Sequence, residues 1–123
     1  MAVDSERNDD MRGKDALVGI KPRVQVEGAY RRLEHAVAAP GLRTPFSMGA
    51  LAAYGWALGR VTEAPVTGAV GTGRVPSSHL LTAELDAAVV QLADPTESLE
   101  RVDHVRGVHD ALAWVCGLVD EQP

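Results

Sequence analysis

The sequence predicts an all-α fold: a small bundle of about four helices with a disordered N-terminal tail. Three observations predict it. Apolar residues recur at steps of three and four in three segments of the 123-residue chain. A further segment, 44–59, holds no charged residue and no clearly polar side, as expected of a helix surrounded by neighbours. Two of the boundaries place proline one residue after a capping Thr or Asp. Leu, Ile, Val and Phe make up 30 of the 123 residues, enough apolar material for one folded domain over 15–123.

Residues 1–14 are polar, charged and without periodicity, so they read as the tail. From Leu17 to Gly28 two readings compete. Val24 and Val26 flank Gln25 in strand-like alternation, while Pro22 can open a helix, and the helix is favoured because Val26, Tyr30, Leu33 and Val37 continue it along one face. Glu27 precedes Arg31 by four residues, the favourable order for a helical ion pair. Pro40 and Gly41 end this helix.

Thr44 and Pro45 start the second helix, which the absence of charge makes the central one. Leu51, Tyr54, Leu58 and Val61 form its main stripe, and close backbone contact at Gly55 and Gly59 is expected to offset the poor helix propensity of glycine. Residues 62–77 combine prolines and glycines with no apolar period and read as a flexible loop. Leu81, Leu85, Ala88 and Leu92 then mark an amphipathic helix with Thr82, Glu84, Asp86 and Gln91 mostly outward. Asp94, Pro95, Thr96 and Glu97 supply a capping carboxylate, a proline and a third-position Glu, predicting the start of a last helix. Its buried stripe is Val105, Val108, Leu112, Val115 and Val119, with Ala111 and Trp114 alongside.

Composition excludes several classes. One Cys rules out an internal disulfide framework and a thiolate zinc site. The 16 uncharged residues 44–59 are too few to cross a bilayer, and the first residues show no apolar secretory segment, so the expectation is a cytoplasmic protein without membrane contact. Ala and Val supply 34 of the 56 apolar residues, which makes the core thin and favours self-association. Charge is uneven: residues 1–14 sum to −1, residues 15–83 to +3 and residues 84–123 to −7. The two unlike halves are expected to face each other within the fold or across a dimer.

No motif specifies a reaction, and no cofactor or metal is expected. Gly68, Gly71 and Gly73 precede Arg74, but a phosphate loop requires Lys and Ser or Thr directly after its last glycine, so a connector is the plainer reading. His104 and His109 are five apart, about 140° around a helix, and cannot share a metal from one face. The adjacent pairs Asp103–His104 and His109–Asp110 are expected to point in different directions. Cys116 falls near a helix C-terminus, where the dipole disfavours a thiolate, and reads as a packing residue. No concave pocket with convergent polar groups is expected, and the protein is read as a non-catalytic interaction or accessory protein, a homodimer or a piece of a larger assembly. Its contact residues would be Arg23, Arg31, Arg32 and Arg43 on or beside the basic first helix and Asp103 and Asp110 on the acidic last one. The same arginines support an alternative, a nucleic-acid-binding regulator, against which stand Glu27, Glu34 and the net charge of −5.

Overall fold

A computed structural model of the protein describes residues 17–123. The expected tail, residues 1–14, lies outside the described residues. Four helices build the fold, as the periodicity predicts. A short antiparallel hairpin, β1 (Leu17–Val18) and β2 (Lys21–Pro22), leads into α1 (Arg23–Val37). Periodicity does not show this hairpin, because its strands are two residues each and turn through Gly19 at φ 63°, a conformation that glycine adopts without steric cost. The alternation at Val24 and Val26 belongs to the helix. Pro22 stands at its N-cap, where its missing N–H costs nothing. Val18 is fully buried, and Ile20 N–H donates to the Val115 carbonyl at 3.0 Å, fixing the hairpin to the far end of the last helix.

α1 ends at Val37, before Pro40, which together with Gly41 and Leu42 makes a single 3₁₀ turn. α2 (Pro45–Ala57) begins where Thr44 and Pro45 predict, the Thr44 hydroxyl accepting from Ser47 N–H at 3.1 Å. α3 (Ser78–Leu92) is capped by Ser77 in the same manner. α4 (Leu99–Val115) starts later than expected. Its cap is Ser98, which accepts from Arg101 N–H at 3.1 Å. Asp94 instead accepts the N–H and hydroxyl of Thr96, at 2.8 and 2.7 Å, and these bonds hold its carboxyl below the usual range. Two capping residues stand four apart, and the first is used to turn the chain out of α3. α4 also ends early: Cys116 is its C-cap, so Val119 lies past the helix, 42% exposed, and is not the fifth member of the stripe.

α2 is the central helix, packed against both α1 and α4, while α3 packs chiefly on α4. Ala50, Ala53, Tyr54 and Ala57 meet Val105, Val108, Ala111, Leu112 and Val115 in the core. The ring of Tyr54 stands edge-on to Trp114 with centroids 6.1 Å apart. At the other end, Thr44 and Met48 lie beside Ser98 and His104, so α2 and α4 run in the same direction. A short link could not join such a pair; residues 58–77 and α3 make the return.

The closest approach of the two helices falls at Gly49 and Gly107. A Cβ on Gly49 would collide with the His104 carbonyl, and one on Gly107 with the Phe46 carbonyl and Ala50 N. Of the two glycines expected to be tight, Gly59 does have backbone against it, from Arg74 and Val75. Gly55 faces only the side chains of Val61 and Tyr30. Small residues thus let the backbones of α2 and α4 touch, giving dense contact despite a shortage of large side chains.

Candidate functional site

Of the charged residues expected to form contact surfaces, Arg23, Arg32, Asp103 and Asp110 have side-chain partners, while among the described residues Arg31 and Arg43 show none. Arg23 Nε donates to Glu27 Oε1 at 3.1 Å, and Arg60 lies 3.8 Å from the same oxygen, so Glu27 pairs with these two residues and not with Arg31. Arg32 donates to Gln122 Oε1 at 2.9 Å, whereas Arg31 is exposed. Arg43 lies beyond the far end of α1, next to the start of α2. On α4, Asp103 pairs with Arg106 at 3.7 Å, and Asp110 Oδ1 meets His109 Nδ1 at 3.0 Å. The last contact corrects the expectation that these sequence neighbours diverge. Among the described residues no ion pair joins the arginines of α1 to the acids of α4, so the unlike halves are not paired side chain to side chain within the fold.

The glycine-rich connector does cradle an anion, but the anion is the protein's own. Val66 N–H, Thr67 N–H and the Thr67 hydroxyl all donate to the carboxylate of Glu84, the last two at 3.1 and 2.9 Å. Glu84 is 3% exposed, not outward as its polarity suggests. It falls three residues after Leu81 and one before Leu85, on the buried stripe of α3. Further bonds, Ala64 N–H to Ala69 O at 2.9 Å and Gly71 N–H to Thr62 O at 2.7 Å, give the expected flexible loop a defined course. Its inward amides are therefore occupied.

An open cleft of about 550 Å³ lies between the N-terminal ends of α2 and α4. This departs from the expectation that no concave pocket with convergent polar groups exists. From α2 and the residue preceding its cap come Arg43, Thr44, Pro45 and Met48; from α4 and its cap come Ser98, Glu100, Arg101 and His104. Arg101 Nε donates to Gln91 Oε1 at 3.2 Å, which steadies its guanidinium at the cleft. His104 Nδ1 is sealed from solvent and has no hydrogen-bond partner. Sequence reasoning picked out Arg43, weighed His104 only as a metal ligand and passed over Arg101, since residues so far apart meet only through the parallel α2–α4 crossing.

Burial, with the positive charge of Arg101 second, lowers the pKa of His104. The fold therefore disfavours its protonation. The corresponding stability is complete above a histidine's ordinary value of about 6.5 and is lost as pH falls through the depressed folded-state value. Urea midpoints measured at pH 7.5 and pH 5 are expected to differ less in His104→Gln than in the wild type. An unchanged difference would show that His104 carries none of the pH dependence.

Elsewhere the ionisable groups offer little chemistry. Burial pushes the Cys116 thiol up, and its side chain packs against the core. His35 and His79 are exposed, and among the described residues no three His, Cys, Asp or Glu side chains come together to hold a metal. No described helix is long and apolar enough to cross a membrane. No protein-family model matches the chain, and no curated protein or solved structure is significantly similar to it.

Proposed function

We propose that this is a non-catalytic interaction protein that pairs with a second copy of itself through the outward face of α3. The observation that carries the reading is that α3 exposes large apolar side chains as well as burying them. Leu81, Leu85 and Ala88 are buried against the bundle, yet Leu80, Val89 and Val90 are 52%, 51% and 71% exposed. Leu99, 85% exposed, opens α4 at the same end of the α3–α4 pair, which the Gln91–Arg101 hydrogen bond ties together. Residues 87–93 contain no charge, and Asp86, exposed one turn before Val89 and Val90, is the exposed α3 carboxylate that borders the patch. A two-fold axis would bring each patch against itself. A protonated, half-buried Cys116 and an imidazole whose Nδ1 lacks an orienting partner favour binding over bond-making chemistry. The nucleic-acid alternative draws less support, since Arg23 and Arg32 already have partners and Arg43 lies away from α1.

Sedimentation over a range of concentrations tests the reading. A species of twice 13.0 kDa that dissociates on dilution is expected, with Val90→Asp held at 13.0 kDa. A wild-type protein of 13.0 kDa at every concentration would overturn the reading.

A further inference from the structure

The cleft between α2 and α4 is separate from the α3 face and does not depend on it. Its lining divides into two kinds. Arg43, Arg101 and His104 present cationic or donor groups, and no carboxylate among the described residues forms an ion pair with either arginine. Pro45 and Met48 supply an apolar wall. The hydroxyl of Ser98 accepts the Arg101 N–H and keeps its own hydrogen for a further acceptor. The Leu99 and Glu100 N–H groups belong to the first turn of α4, which leaves them without intrahelical acceptors. Two guanidiniums, a hydroxyl and first-turn amides form a donor set complementary to a tetrahedral oxyanion. The volume of about 550 Å³ exceeds what a bare ion needs and leaves room for an organic body along Pro45 and Met48.

We propose that this cleft binds a small phosphate monoester, its phosphoryl group held by Arg43 and Arg101 and its apolar body lying on Pro45 and Met48. Arg101, steadied by Gln91, provides the fixed contact; Arg43, on the loop ahead of α2, closes from the opposite wall. Glu100 is the one carboxylate in the lining and opposes the ligand's charge. Neutralising it therefore strengthens binding.

Amide and imidazole NMR titrations of the full chain with phenyl phosphate, inorganic phosphate and phenol test this. Phenyl phosphate is expected to shift the amides of Leu99 and Glu100 and the ring of His104, with inorganic phosphate and phenol each binding at least tenfold more weakly. Arg43→Gln and Arg101→Gln should each weaken phenyl phosphate by about tenfold or more, the loss of a charge-assisted contact. Arg43 is exposed and outside every helix, so its variant tests the site without burdening the fold. Glu100→Gln should tighten binding severalfold. Absence of shifts at millimolar phenyl phosphate, or shifts unchanged in Arg43→Gln, would overturn the site. Equal affinity for inorganic phosphate or for phenol would overturn the assignment to a phosphate ester.

Discussion

Gly107→Ala is expected to lower the unfolding free energy by about 3 kcal/mol, the upper part of the range for overpacked sites. The added methyl would collide with the Phe46 carbonyl and the Ala50 amide nitrogen, both in the backbone of α2. Helix backbone cannot turn aside as a side-chain tip can, so α2 and α4 must separate along their length, and the core from Ala53 to Val108 loosens with them. Ordinarily the same substitution in a helix raises stability, by about 1 kcal/mol through propensity. Gly28→Ala in α1 supplies that contrast. Its nearest obstacle is the Arg32 guanidinium at 3.3 Å, the end of a flexible side chain. Urea unfolding should therefore move in opposite directions for the two variants. A Gly107→Ala protein as stable as the wild type would mean that the helices do not cross there.

Glu84→Ala is expected to cost about 3 kcal/mol and to release the connector. Three donors converge on this carboxylate, two of them backbone amides that have no other partner in the loop. Hydrogen exchange at Val66 and Thr67 should accelerate sharply in the variant, while amides in the middle of α2 lose only the global increment. Glu84→Gln retains the shape but exchanges one acceptor for a donor, so its loss should be smaller than that of alanine. Unchanged protection at Val66 and Thr67 would show that the loop keeps its course without the carboxylate.

The helices were legible in the sequence where burial follows periodicity. Leu81, Leu85 and Ala88 on α3, and Val105, Val108, Leu112 and Val115 on α4, lie on the predicted buried faces. The uncharged run from Thr44 marked the central helix for the same reason. What was hidden depends on a partner element. Gly49 and Gly107 matter only because α2 and α4 meet at that register, and nothing within either helix announces it. Glu84 carried a usable signal, its place on the stripe of Leu81 and Leu85, but polarity argued for solvent until the loop amides were in view. Asp94 reads as the cap where Ser98 serves as it, because both are residue types that cap helices and local propensity does not decide between them. The cleft was legible only in part: Arg43 stood out only as one of the arginines on or beside the first helix, while Arg101 and His104 join it through the parallel crossing.

The proposed pairing is tested most directly by intermolecular NOEs in a mixture of differently isotope-labelled chains. Cross-peaks are expected from the methyl groups of Val89 and Val90 on one chain to the α3 residues of the other, vanishing on dilution and absent in Val90→Asp. Samples concentrated enough for NMR that show no intermolecular cross-peak at α3 would contradict it.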